Sequence, residues 1–290
     1  MKKLIFILTL LLFCENCPAY TYKDFKNLYT LVNGMLVSPS ASARTIGKNI
    51  LRTGISGYYY CFKKLQNGEL YFPIDYFRST NQDALINFII EYGIFKNSEI
   101  DLLIPYAPDW HPNRGGNKQG IADIAIIFKQ YLLTYYNIDM GLTACYKLNT
   151  STFADDPTWY GTNYSTIVLK AIFSTRYKKV SPFINIGYKN ILGSGKIKSY
   201  EQNIDFTYSN TYIGAIGLNY QLLRTFEISL ESNFESHNKK GISAYYLDIC
   251  GGINLNLTKN IICYGKIGKN ISDFAPNFYI STGISVVTKL

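Results

Sequence analysis

The sequence predicts an all-β protein, a transmembrane antiparallel up-and-down β-barrel of about 12 strands. The segment T-F-E-I-S-L-E-S-N-F-E (Thr225–Glu235) carries the first observation. Phe226, Ile228, Leu230 and Phe234 fall on one face of an extended chain, and Glu227, Glu231, Asn233 and Glu235 on the other. Side chains of a strand alternate with period two, so this run separates an apolar from a polar medium. It is about twice the usual strand length of roughly 5–6 residues, and similar runs recur to the last residue. The second observation is that, after the N-terminal stretch, no run of 18 or more apolar residues exists to make a transmembrane helix. Lipid cannot satisfy exposed backbone groups, so a membrane-embedded chain without helices must be a closed barrel. Composition is the third: 26 Tyr and 17 Phe in 290 residues, with 17% charged residues and a mean hydropathy near zero. That balance suits strands with one face in oil and one in water, and it excludes a disordered chain.

The N-terminal stretch reads as an export signal. Lys2 and Lys3 precede an apolar centre, Leu4 to Phe13, and then Cys17-Pro18-Ala19. This is the pattern of a secretory signal peptide over residues 1–19, cleaved after Ala19, and its centre is too short to span a bilayer. Bulky Phe13 precedes Cys14 where lipoprotein signals prefer a small residue, which argues against lipidation. Within residues 20–48, Tyr22, Phe25, Tyr29 and Val32 recur at helical spacing. This segment is either a periplasmic lead-in or a plug that enters the barrel of residues 49–290.

Twelve strands follow in order, each bounded by polar or turn-forming residues. They are Asn49–Tyr60, Ala84–Ile94, Ser98–Ile104, Gly120–Leu132, Tyr136–Leu148, Asn163–Ser174, Val180–Ile191, Tyr208–Leu222, Thr225–Ser236, Ala244–Leu257, Asn260–Gly268 and Asn277–Lys289. The connections alternate long and short. Long ones are 61–83, 105–119, 149–162, 192–207, 237–243 and 269–276, and short ones are 95–97, 133–135, 175–179, 223–224 and 258–259. Outer-membrane barrels have short periplasmic turns and longer extracellular loops, so both termini belong on the periplasmic side.

Face assignments follow from parity. On the tenth strand Leu247, Ile249, Ile253, Leu255 and Leu257, with Tyr245, face lipid, while Asp248, Cys250, Gly252, Asn254 and Asn256 face inward. On the fifth, Ile138, Met140, Leu142, Ala144 and Leu148 oppose Asp139, Thr143, Cys145 and Lys147; on the seventh, Ile184, Ile186 and Tyr188 oppose Asn185 and Lys189. Aromatics near strand ends (Tyr58, Tyr131, Tyr136, Tyr164, Tyr245, Phe278) are assigned to the interfacial girdles.

The residues that carry chemistry are few. The four cysteines beyond the signal, Cys61, Cys145, Cys250 and Cys263, have no C-x-x-C spacing, so neither a metal site nor a redox pair is expected, and no cofactor. The formal charge of +9 lacks the basic clusters of a nucleic-acid surface. Lysines instead sit near turns, where they can meet the phosphates of lipid head groups or simply keep the ends wet; the expected partners are outer-membrane lipid and lipopolysaccharide. His111 and His237 are the only histidines, and Lys239 stands where a barrel phospholipase would carry its serine, so no enzyme is expected. The functional candidates are the inward-facing ionisable residues Asp123, Lys129, Asp139, Lys147, Lys170, Lys189, Glu227, Glu231, Asp248 and Lys266. Both signs occur, which predicts a salt-bridged lumen, with Glu227, Glu231 and Glu235 meeting lysines such as Lys189 or Lys266 on neighbouring strands.

Several segments resemble the outer-membrane family named for the MetA pathway of phenol degradation. They are G-I-A-D-I-A-I-I-F-K-Q-Y (Gly120–Tyr131), F-I-N-I-G-Y (Phe183–Tyr188), Y-I-G-A-I-G-L-N-Y-Q-L (Tyr212–Leu222) and G-K-N-I-S-D-F-A-P-N-F-Y-I-S-T-G-I-S (Gly268–Ser285). The family's P-x-G turn after the fifth strand is replaced here by Lys147-Leu148-Asn149-Thr150. The resemblance implies an outer-membrane barrel that passes small molecules, aromatic ones among them; it transfers no binding residues. The last strand, with Phe278, Ile280, Ile284, Val286 and Leu290 on one face, resembles the C-terminal signal read by the barrel-assembly machinery, though it ends in Leu rather than an aromatic.

About 12 strands fall between barrels filled by side chains and those with open aqueous channels. The expected function is therefore a passive channel or uptake pore for small solutes, aromatic or hydrophobic ones included, in the outer membrane of a Gram-negative bacterium. The alternatives are a non-conducting surface, adhesin or structural barrel and, less favoured, a phospholipase-type barrel.

Overall fold

The computed structural model describes residues 42–61, 82–108, 119–150, 165–192, 194–198, 203–207, 211–239, 242–271 and 278–290. Twelve long staves make the wall. They are β1 (Ile50–Cys61), β2 (Gln82–Phe95), β3 (Ser98–Ala107), β5 (Ala125–Tyr135), β6 (Ile138–Lys147), β7 (Ser165–Thr175), β8 (Val180–Leu192), β11 (Thr211–Gln221), β12 (Phe226–Lys239), β13 (Ile242–Asn256), β14 (Ile261–Asn270) and β15 (Phe278–Lys289). A two-residue β4 (Gly120–Ile121) precedes β5, and a hairpin of β9 (Ser194–Lys198) and β10 (Asn203–Thr207) stands apart from the wall. Each stave pairs antiparallel with its neighbours, and β1 pairs β15 from Ile50↔Lys289 to Cys61↔Phe278, so the sheet closes on itself. The Leu290 N–H donates to the Asn49 carbonyl at 2.8 Å and finishes the seam.

The periodicity of the strands decides what each face meets. Outward residues are exposed and apolar: Ile186, Ile216 and Leu230 are 58%, 61% and 58% accessible, and Ile249, Ile253 and Ile284 belong to the same belt. Inward residues are buried and mostly polar, among them Arg52, Glu91, Asn185 and Asp248. In a soluble sandwich this arrangement would be inside out; a hydrocarbon surround accounts for it.

Several expectations are corrected. The strand predicted over Gly120–Leu132 is interrupted at residues 122–124, where the Ala122 N–H turns to the Pro105 carbonyl and the Ile124 N–H to Thr150 Oγ1. The turn predicted at Leu133–Tyr135 lies instead at Tyr136-Asn137, both with positive φ (46° and 65°), as a two-residue hairpin turn of matching twist requires. A bulge between Tyr131 and Leu133 absorbs one residue and shifts this end of the strand. The loop predicted over residues 237–243 is largely strand, since pairing continues to Lys239↔Ile242, and the loop predicted over 192–207 contains the β9–β10 hairpin. Tyr58 and Tyr131 do not join a girdle: each shares the parity of inward residues and is 3% and 4% exposed. Tyr136, 82% exposed at its turn, does face the surroundings. Tyr164, His111, residues 1–41 and the side chain of Tyr245 lie outside the described residues.

Flat rings lying over glycines pack the inner wall. A Cβ added at Gly217, Gly268 or Gly283 would fall inside the ring of Phe183, Tyr279 or Tyr264 respectively. The ring and the missing side chain are complementary, so these glycines are packing residues. We predict that Gly217→Val, which also meets the Leu230 carbonyl at 2.8 Å, lowers stability by about 1–3 kcal/mol, read as a shifted urea midpoint in lipid vesicles. Ile216→Arg, on the lipid side of the neighbouring position, should cost about 2–4 kcal/mol in the same assay if it sits near the midplane. An unchanged midpoint would place Ile216 away from lipid.

Candidate functional site: the lumen and its periplasmic mouth

Charged side chains are costly in lipid and are confined by strand parity to the inner wall, where the surroundings are only partly aqueous. They pair there. Arg52 Nε bonds Glu91, its direct cross-strand neighbour, and both are buried. Lys129 lies 3.2 Å from Glu99 and Lys147 3.1 Å from Asp123. Lys189 meets Glu235 at 2.9 Å and Lys266 meets Glu231 at 3.0 Å, pairs that the alternating acids of β12 make with strands β8 and β14. Glu227 accepts from Asn254 Nδ2 at 3.2 Å. Asp248 accepts from Asn233 Nδ2 at 2.8 Å and from Tyr279 Oη at 3.0 Å. Asp139 is held by Arg44, whose Nη2 donates to Oδ1 at 2.9 Å, and by Thr134 Oγ1 at 2.6 Å. Of the ten residues picked from the sequence, Lys170 has neither a hydrogen bond nor an ion pair among the described residues.

Sequence reasoning missed two features of the lumen. The first is an apolar seam. Ile89, Leu103, Ala125, Cys145, Val168 and Ile213 form one buried cluster on the inner face, with Ile127 packed against it. Its signal was present in I-N-F-I-I on β2 and I-V-L-K-A-I-F on β7, where both parities carry apolar residues. Such runs mark strands buried on both faces. The second is the chain just before β1. Ala43 and Ile46 are 0% and 1% exposed. The Ala43 N–H donates to Ser174 Oγ on β7 at 3.0 Å and the Ile46 N–H to Glu99 Oε2 on β3 at 2.6 Å. Arg44 reaches Asp139 on β6, and the Asn49 N–H meets the Gly93 carbonyl on β2 at 2.9 Å. Residues 43–49 therefore touch four staves, β2, β3, β6 and β7, at the end that carries the short turns. Glycines make the approach close: a Cβ on Gly93 would overlap the Gly47 carbonyl, and one on Gly141 would lie 2.7 Å from the Ala43 carbonyl oxygen.

No arrangement for nucleophilic chemistry is described. His237 is a β12 residue paired with Ala244, and its side chain lies outside the described residues. Cys145 and Cys250 are free thiols on the inner face and Cys263 a free thiol facing outward. Among the described residues no group of three or more His, Cys, Asp or Glu side chains is placed to hold a metal.

No protein-family model matches the chain, and no curated protein matches it. Solved structures do. The NanC porin aligns with a TM-score of 0.53 at 8% identity, covering 82% of this chain and 99% of the other. The KdgM porin aligns with a TM-score of 0.50 at 8% identity, covering 81% and 98%. At such identities the likeness is one of fold. The resemblance to the family named for phenol degradation is thus carried by no family match, while its coarser part holds. The closed sheet, the apolar belt and these neighbours give the chain the fold of an outer-membrane β-barrel.

The ion pairs of the inner wall give a direct stability prediction. Arg52→Met should strip buried Glu91 of its cation and cost about 3–5 kcal/mol in urea unfolding. The double variant Arg52→Met/Glu91→Gln should recover most of that loss, and equal losses in the two variants would show that the pair is not what stabilises this part of the wall.

Proposed function

We propose that this barrel is a passive channel, an uptake pore for small molecules across the outer membrane. The observation that carries the reading is that the inner face is not sealed throughout. Ile127, Thr143, Lys170 and Ser229 point inward and remain partly accessible, while residues beside them are buried. They trace a narrow, wettable passage lined on one side by the apolar seam and elsewhere by paired charges. The porins that share the fold support this reading. The seam and the sequence resemblance both favour small solutes with an apolar or aromatic body, since a bore of this lining solvates an amphiphile better than a strongly hydrated ion.

On the same reading residues 42–49 narrow the periplasmic mouth. The basic turns meet lipid head groups and lipopolysaccharide, and the β15 strand presents the C-terminal signal to the assembly machinery. A surface barrel whose loops do the work differs in one measurable respect: it passes no solute.

Planar-bilayer recording of the purified chain should show discrete openings, and liposomes carrying it should swell in small neutral solutes. Deleting residues 42–47 should raise single-channel conductance, and Arg44→Ala, which frees Asp139 at the mouth, should raise it less. The absence of both openings and swelling in either form would rule out a channel. Unchanged conductance after the deletion would show that the segment does not narrow the mouth.

A further inference from the structure

Among the described residues of the inner wall, Lys170 is a cation that makes neither an ion pair nor a hydrogen bond. Lys170 on β7 points into the bore and stays partly accessible, and no acid lies within ion-pair distance of it among the described residues. Nearby acids are already engaged, Glu231 by Lys266 and Glu235 by Lys189. The lysine stem lies across Gly187 on β8, where an added Cβ would come within 2.8 Å of Lys170 Cγ. Two residues back along β8, on the same inward face, stands Asn185. It is 2% exposed, and neither its Oδ1 nor its Nδ2 has a hydrogen-bond partner. An amide buried without partners costs free energy in both of its groups, so the position is suited to a guest that completes it. Beside these heads lie apolar groups, Ile172 and Phe183 as the inward neighbours along β7 and β8 and Ile213 against the Gly187 position, with Thr143 facing Lys170 from β6.

We propose that Lys170 and Asn185 form a binding station in the bore for a small monocarboxylate with an apolar body. The carboxylate would take the ammonium and the Asn185 Nδ2–H, while the body lies against Ile172 and Phe183. One negative charge balances the site; a second would find no further cation, because Lys266 and Lys189 already serve Glu231 and Glu235. The station assigns a substrate class to the proposed channel and rests on that reading for its role, but its occupancy can be measured without any flux.

The probe pair is benzoate and its neutral isostere benzamide, titrated calorimetrically into the whole folded chain in detergent. Benzoate should bind more tightly than benzamide. Lys170→Met should weaken benzoate about tenfold or more and leave benzamide nearly unchanged, as expected for loss of one charge-assisted contact. Asn185→Leu should weaken both. Because Lys170 neutralises no acid directly, its variants should keep the fold, checked by heat-modifiable migration, and Lys170→Gln serves as the second neutral variant. Benzoate bound equally by the unaltered chain and both Lys170 variants, or no better than benzamide, overturns the station. Lysine-dependent binding in a chain that conducts nothing would uphold the station and sink the channel.

Discussion

Everything in this molecule depends on hydrocarbon offering the backbone no hydrogen-bond partner. A sheet in that medium cannot keep a free edge, because each unpaired N–H or C=O would cost several kcal/mol. The requirement is met at the β1–β15 seam, where twelve residue pairs join the first stave to the last. Once the sheet is a ring, inside and outside become absolute, and strand parity sends the charged residues of the staves to the inner side, save Lys269 near the end of β14, which is exposed. A one-residue slip would exchange the faces of a whole strand, so the register is fixed by the same cost that closes the ring.

Confining the charges has a second consequence. The interior of a twelve-stave cylinder is neither bulk water nor oil, and ions there are stable mainly in company. Cross-strand neighbours supply that company at Arg52–Glu91, while Lys189–Glu235 and Lys266–Glu231 span a stave or reach diagonally. Rings over glycines, the apolar seam and the segment before β1 fill much of the remaining space. In the bore that remains, a lysine without an ion pair among the described residues and an amide without hydrogen-bond partners stand out.

The sequence and the structure agree best where a stave has unlike faces. On β12 and β13 the alternation is strict, and the faces of Glu231, Asn233, Asp248 and Cys250 could be read without any tertiary information. Agreement fails where the alternation is blurred. On β2 and β7 both parities are apolar, so nothing local said that Ile89 and Val168 point into the lumen. Tyr58 and Tyr131 were misplaced because an aromatic near a strand end satisfies a girdle or a bore equally well, and only exact register separates the two. The turn at Tyr136-Asn137 was missed by one bulge, a feature set by pairing with β6.

By itself, then, the sequence determined the medium: period-two alternation over long strands demands oil on one side and polar groups on the other, whatever the partners. It also determined which ionisable residues of the strictly alternating staves face inward. Only the tertiary structure decided which of those residues meet. Partners such as Arg44 and Asp139, or Lys147 and Asp123, are separated by tens of residues along the chain and are brought together by the pairing of the staves. The same closure leaves Lys170 without an ion pair among the described residues, because whether a charge finds a counterion depends on the neighbouring staves and not on its own.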